Sequence, residues 1–238
     1  METEKKSRTA LPLLDRFYNE KNQYEFAVDE AGRGCLFGRV YIAGVVLPKD
    51  PSMFDGKDIK DSKKFTSKKK INEVAEYIKQ NALAWHVAWV DEKVIDNINI
   101  LKATMQGMHE CIRETMLKLG DCDMDKCTAL VDGGYFTAYR CYDENKQSIR
   151  ELSHITVEQG DGKYMAIAAA SILAKTSRDA YIHEMCEKYP ALKERYGIDT
   201  NMGYGTKRHL DGIKEYGITQ WHRRTFGENC KNAVINEI

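Results

Sequence analysis

The chain has 238 residues, with 36 basic and 36 acidic side chains and a formal net charge of zero. That balance excludes a global electrostatic pull toward nucleic acid or membrane. Hydrophobic residues at 42% suffice for a core, and only four prolines with 30% charged residues exclude a disordered chain, leaving one large domain or one domain with an appendage.

Residues 1–23 read as a polar lead-in, and Met1 to Ala10 lacks the apolar core of a signal segment. Tyr24 to Asp29 reads as strand one, and Val40 to Leu47, closed by Pro48, as strand two. A lysine-rich loop follows, with Lys57, Lys60, Lys63, Lys64, Lys68, Lys69 and Lys70. Ile71, Val74, Ala75 and Ile78 then show helical spacing within Ser67 to Asn81. Leu83 to Val90 alternates as strand three. Asp91 to Leu119 is a helical region that Asn97-Ile98-Asn99 divides in two and Gly120 ends. Cys127 to Val131 is a fourth strand, stopped by Asp132-Gly133-Gly134, and Ser153 to Val157 a fifth, stopped before Asp161. The stretch from Tyr135 to Arg150 between them is polar and reads as a variable loop. A long helix runs from Lys163 to Tyr189. Its small and apolar start, Met165 to Ala174, marks it as the most buried helix. From residue 191 to 238 the chain reads as a helical appendage, with a second basic cluster of Lys207, Arg208, His209, Lys214, His222, Arg223 and Arg224.

Basic clusters of this kind hold phosphates, although a single run is more often a solvated helix face. Seven scattered cysteines without a C-x-x-C pair read neither as a disulfide framework nor as zinc spacing, and fit a reducing cytoplasm. No apolar stretch reaches membrane-spanning length. Early strands joined by short loops predict antiparallel pairing. Later strands separated by helices predict parallel crossovers. The fold class is α/β, a mixed sheet flanked by helices.

The chemistry centres on Asp29-Glu30, two adjacent carboxylates leading into the turn Gly32-Arg33-Gly34. Adjacent carboxylates repel, and a hard divalent cation is their economical counter-charge. On this run alone a metal pair and a solvated strand end weigh about equally. Asp132 and Asp161 tip the balance. Taken singly, Asp132-Gly133 and Asp161-Gly162 are ordinary turn dipeptides. If strands one, four and five run parallel and adjacent, however, Asp29, Asp132 and Asp161 converge at one sheet edge beside Glu30. Such a cluster needs cations, and two divalent ions bridged by a shared aspartate are the arrangement for in-line phosphoryl displacement. A dinucleotide-binding oxidoreductase is the rival reading, because Gly32, Gly34 and Gly38 superficially match a nucleotide fingerprint. It fails because the carboxylates would repel a pyrophosphate and a strand follows where that motif needs a helix N-terminus.

The motifs in combination resemble ribonuclease HII, the type 2 ribonuclease H family, from about Tyr24 to Gly227. They are Asp29-Glu30-Ala31-Gly32-Arg33-Gly34, Asp61-Ser62-Lys63-Lys64, Asn99 to Met105, Val131-Asp132-Gly133, Gly160-Asp161, Ala168 to Lys175 leading to Arg178-Asp179, Gly203-Tyr204, and His222 to Gly227. The resemblance implies a ribonuclease H-like mixed five-stranded sheet flanked by helices, in a catalytic domain over 24–190, with a C-terminal helical extension over 191–238. It implies Asp29, Glu30, Asp132 and Asp161 as catalytic and metal-binding residues, and magnesium or manganese as cofactor. The implied reaction is endonucleolytic hydrolysis of the RNA strand in RNA–DNA hybrids, including cleavage 5′ of a single ribonucleotide in duplex DNA.

The resemblance also implies that the Gly32, Arg33 and Gly34 backbone approaches the 2′-hydroxyl, which distinguishes RNA from DNA. Tyr204 is expected to stack on the following sugar. Ser62, Lys63 and Lys64 are expected to hold backbone phosphates, which position a duplex without reading it. Lys175 and Arg178 are expected on the helix behind Asp161, with Arg178-Asp179 an internal pair. The sequence leaves open whether His222, Arg223 and Arg224 brace the C-terminal helices or touch phosphate. Ribonuclease HIII is the nearest rival; about 23 residues before strand one are too few for its N-terminal domain, and its turn lacks the arginine that Arg33 supplies. A binding module with a dead site is disfavoured by the intact carboxylates. Asn229 to Ile238 carries no Gln-plus-paired-aromatic motif for a sliding clamp, and a monomer is expected.

Overall fold

The computed structural model describes residues 13–120, 122–144 and 146–238; the lead-in through residue 12 lies outside them. Alternation along the first two strands explains the layering. In β1 (Tyr24–Ala31), Phe26 and Val28 face one layer and Ala27 the other. In β2 (Val40–Val46), Val40, Ile42 and Val46 share the first layer, while Ala43 and Val45 share the second. A strand buried on both sides needs helices on both sides.

The remaining strands are β3 (Ala84–Val90), β4 (Cys127–Asp132), β5 (Arg140–Asp143), β6 (Ser148–Glu151) and β7 (Ser153–Val157). Five of the strands form a mixed sheet in the order β3-β2-β1-β4-β7. β1 pairs antiparallel with β2, and β2 with β3; β1 pairs parallel with β4, and β4 with β7. The expected mixed sheet is therefore present. One connection differs from the expectation. Among the described residues no helix joins β4 to β7, and the stretch read as a polar loop folds into the hairpin β5–β6. Its outward Tyr142 and Ile149 face each other across that hairpin, a pairing too short and too polar in context to stand out as strand periodicity.

α1 (Lys68–Asn81) starts at Ser67, whose hydroxyl accepts the Lys70 N–H, and it buries Ile71, Val74, Ala75 and Ile78. α2 (Glu92–Ile98) and α3 (Ile100–Leu119) are separated at Asn99, which takes φ of 69° and caps α3 with its own side chain. That is the expected break, and asparagine is among the few residues tolerant of such a φ. α3 covers the layer of Phe26, Val28 and Ile42.

α4 (Met165–Lys188) covers the opposite layer, and all its residues from Met165 to Ala174 are buried. Alanines at 166, 168, 169, 170 and 174 let its backbone approach β1 and β2, while Ile167, Ile172 and Leu173 fill the remaining space. Each of those three larger side chains is worth roughly 1.5–3 kcal/mol of burial. Residues after the lead-in are also tied down. Asp15 donates its N–H to the Lys163 carbonyl, and its own carbonyl accepts from the Met165 N–H.

The chain ends in α5 (Ala191–Tyr196), α6 (Ile198–Asn201), α7 (Lys207–Tyr216) and α8 (Gly227–Lys231). Leu192, Tyr196, Ile198, Ile213 and Ile218 from this region pack with Phe37, Tyr41, Tyr181 and Ile182 in a third apolar cluster. The second basic cluster is not one surface. His209, His222 and Arg223 are buried, whereas Lys207, Arg208 and Arg224 are exposed. No disulfide joins the cysteines, and no helix among the described residues is long and apolar enough to cross a membrane.

Candidate active site

Register places the acidic residues. Val28 pairs with Val131 as the last parallel rung between β1 and β4, so Asp29 and Asp132 follow side by side. Asp29 continues the face of Ala27, and Asp132 that of Leu130, which is the face covered by α4. Asp161 arrives from a 3-10 turn, Gly160–Gly162, just beyond β7. The Gly160 N–H donates to Asp132 Oδ1 at 2.7 Å, locking that turn onto the end of β4. Asp29, Glu30, Asp132 and Asp161 thus come together at one edge, the carboxyl end of the parallel strands.

The electrostatics of the edge are strained. Burial, then the charges of Asp132 and Glu30, push the Asp29 carboxyl well above its ordinary range against the pull of a Ser171 hydrogen bond. Burial raises Glu30, with Arg33 opposing at 3.3 Å and Asp132 adding to the rise. Burial also raises Asp132, opposed by the Gly160 N–H and reinforced by the Asp161 charge. Asp161 is met by Lys63, whose Nζ lies 3.2 Å from Oδ2. Burial works against the Lys63 ammonium, but its bond to Asp161 raises it overall. Asp132 is the common member of these contacts. As the side chains stand, no three carboxylate, imidazole or thiol groups among the described residues close into a grip on an ion. The donor chemistry nevertheless suits a hard divalent cation: only carboxylate oxygens, mutually repelling and partly desolvated.

Beside the carboxylates opens a cleft of about 470 Å³ lined by Asp29, Glu30, Asp132, Gly32, Arg33, Gly34, Ser62, Lys63 and Tyr204, among others. Tyr204 is 49% exposed there. Gly32 has φ of +85°, and a Cβ on it would run into the Arg178 side chain. Gly34 is different, since a Cβ there would only touch the Tyr204 ring at 4.0 Å. Gly32 is required by the fold, whereas Gly34 leaves open space over the cleft.

Ser62 is buried, and its hydroxyl lies 3.0 Å from that of Ser171. Lys64 stays outside the cleft lining, 3.9 Å from Asp61. One expectation is corrected. Arg178 does not pair with Asp179, which instead bonds Lys175 at 2.9 Å. Arg178 does lie on the helix that follows Asp161, as expected. It is 2% exposed and lies beneath the Gly32 turn, donating to the Phe37 and Arg39 carbonyls. Ser171 carries no signal of its own in the sequence, because it sits inside a run of small residues whose spacing indicates only burial. Arg223, whose role the sequence leaves open, is fully buried and donates to the carbonyls of Gly38 and Arg33, so bracing is its part.

Comparisons with known proteins bear on the family and the fold. The family model for ribonuclease HII matches residues 26–229. The ribonuclease HII of Parabacteroides distasonis is 42% identical over 209 residues, spanning 88% of this chain and 92% of that one. Among solved structures, the PCNA:RNase HII complex of Archaeoglobus fulgidus aligns with a TM-score of 0.62 at 26% identity, covering 86% of this chain and 95% of that one. Bst-RNase HIII in complex with Mn2+ shares the fold, with a TM-score of 0.65 at 13% identity over 89% of this chain and 70% of that one. Motifs, sheet order and these likenesses converge, and the chain belongs to the ribonuclease HII family of nucleases.

Proposed function

We propose that this protein is an endonuclease that hydrolyses the RNA strand of RNA–DNA hybrids and cuts 5′ of single ribonucleotides in duplex DNA, leaving 5′-phosphate and 3′-hydroxyl ends. The observation that carries the reading is the convergence of Asp29, Glu30, Asp132 and Asp161 beside a cleft whose other wall is Gly32-Arg33-Gly34 and Tyr204. The four carboxylates would hold magnesium or manganese, two ions during reaction, as their oxygen-only donor set and shared repulsion favour. Bound there, the ions would supply an activated water and charge neutralisation at the leaving oxygen.

The residues of the chain do the rest. Ser171 and the Gly160 N–H hold Asp29 and Asp132 in place. Lys63, with its ammonium at the cleft rim, steers a backbone phosphate, and Lys64 adds charge further out. Ser62 acts through its bond to Ser171 more than through phosphate. The Gly32–Gly34 backbone reads the 2′-hydroxyl at close approach, and Tyr204 stacks on the adjoining deoxyribose. In this reading residues 24–190 form the catalytic domain, residues 191–238 an extension that supplies Tyr204, and the protein acts as a cytoplasmic monomer. The PCNA partner is a feature of the Archaeoglobus fulgidus complex, and no such partner is proposed for this chain.

The test is cleavage of a labelled DNA duplex holding one ribonucleotide, with magnesium or manganese, against an all-DNA control. A cut 5′ of the ribonucleotide that disappears in Asp132→Asn is expected. A folded wild-type protein that binds the duplex and cuts it with neither metal would leave only a binding module.

A further inference from the structure

Two buried histidines stand directly behind the cleft. His209, on α7, is fully buried, and His222, in the following loop, is 3% exposed. Their Nε2 atoms are 3.0 Å apart. At the outer ends, the Thr219 backbone N–H donates to His222 Nδ1 at 3.0 Å, with the Thr219 hydroxyl 2.9 Å from the same nitrogen. His209 Nδ1 lies 2.9 Å from the Tyr204 carbonyl oxygen.

Those contacts leave one arrangement of protons. Nδ1 of His222 accepts from an amide, so that nitrogen carries no proton, and the neutral ring bears its proton on Nε2. That proton faces Nε2 of His209, which must accept. The His209 proton is then on Nδ1, where it donates to the Tyr204 carbonyl. An extra proton on either ring would set two N–H groups against each other. Burial depresses both rings, and His222 falls to about 3. Rings of Tyr196 and Phe37 pack edge-on against His222.

The relay joins the two parts of the reading surface. The Arg223 N–H donates to the Leu36 carbonyl, and the Gly38 N–H to the Trp221 carbonyl, so the residues flanking His222 hold the loop after Gly34. At its other end the relay grips the peptide of Tyr204, whose carbonyl also takes the Thr206 N–H.

We propose that His209 and His222 are positioning residues for Tyr204: a proton-ordered pair that ties the tyrosine peptide to the segment holding the Gly32–Gly38 loop, and so sets the gap into which the RNA–DNA junction fits. The nucleic-acid part rests on the reading of Tyr204 given above.

The experiment uses the full chain and the variants His209→Asn, His209→Phe and Tyr204→Ala, with two readouts. One is hydrogen exchange at the Tyr204 and Thr206 amides without nucleic acid. The other is kcat and KM on a duplex with one ribonucleotide. Asparagine keeps an N–H near the Nδ1 position; phenylalanine keeps only the ring shape. His209→Phe is expected to speed exchange about tenfold and to raise KM about tenfold, the scale of one buried hydrogen bond. His209→Asn is expected to restore both to within about threefold of wild type. Combined with Tyr204→Ala, His209→Phe is expected to add no further loss in cleavage. Unchanged exchange in folded His209→Phe overturns the proposal, as does asparagine performing no better than phenylalanine or a fully multiplicative double variant. If His209→Phe does not fold, His209→Gln, whose amide sits nearer Nε2, takes its place. Tyr204→Ala that cleaves like wild type would instead sink the substrate role of Tyr204, while exchange still decides the relay.

Discussion

The carboxylate edge and the brace behind the Gly32–Gly38 loop are both polar and buried, yet they are held in opposite ways. At the edge, Asp29, Glu30 and Asp132 repel one another and resist ionisation. In the brace, Arg178, Arg223, His209 and His222 each meet a defined acceptor or donor, mostly main-chain groups. The first region stores unfavourable charge for a ligand to relieve; the second commits its hydrogen bonds to shape. Removing a group from the edge should therefore cost activity and help the fold, whereas removing one from the brace should loosen the fold and weaken cleavage only through the geometry it holds.

The sharpest break of that comparison is Asp132→Asn. Cleavage is expected to fall on the order of a thousandfold, since the carboxylate shared by the cluster is gone. Its stability in urea without divalent ions is expected to rise by about 1 kcal/mol, as one repelling charge is removed. A variant less stable than wild type would contradict the strained-edge account.

The pH response should separate the regions by sign. His222 is depressed in the fold, so only the unfolded chain takes up its proton below the ordinary imidazole value near 6.5. Its contribution is complete above pH 6.5 and is lost as pH falls toward about 3, at up to about 1.4 kcal/mol per pH unit. The raised carboxylates act oppositely, because the folded chain binds their protons more tightly, so stability is gained as pH falls through their folded values. Urea midpoints at pH 7 and pH 5.5 should therefore drop less in His222→Gln than in wild type. Equal drops would remove His222 from the account.

Two glycines on either side of Arg33 should behave differently. Gly32→Ala forces a left-handed backbone on alanine and displaces Arg178, and is expected to cost about 2 kcal/mol of stability. Gly34→Ala is expected to leave stability within about 0.5 kcal/mol while weakening cleavage about tenfold, because its Cβ enters only the cleft. Similar stability losses for both would erase the distinction between a glycine needed for folding and one needed for access.

A further expected effect is metal stabilisation. Magnesium at ten times its dissociation constant is expected to stabilise wild type by about 1.4 kcal/mol and Asp132→Asn far less, read as a shift in melting temperature. Equal shifts would place the ion elsewhere.

Much of the architecture is legible in the sequence. Alternation in Phe26 to Val28 and in β2 announces a sheet covered on both faces, and the small-residue run of α4 announces its burial. Asn99 marks the break between α2 and α3, because a side chain that caps a helix also tolerates a positive φ. The hairpin β5–β6 is not legible, since two strands of four residues carry too little periodicity to stand out from a polar loop. Arg178, Arg223 and Ser171 are visible as residues but not as contacts. Their partners, such as the Phe37 and Gly38 carbonyls or Asp29, are more than a hundred residues away in the chain.

The local patterns follow from the sequence alone: the five strands of the main sheet and the long helices, which faces are apolar, and that acidic residues follow three of those strands. Those depend on neighbours within a few positions, where spacing carries the physics. Only the tertiary structure decided that Asp132 is shared among the carboxylates, that Gly32 and not Gly34 is sterically required, and that His222 and Arg223 lie inside the protein. Those outcomes depend on parallel register and on groups brought together from distant segments, and a linear pattern of charge and hydrophobicity has no term for either.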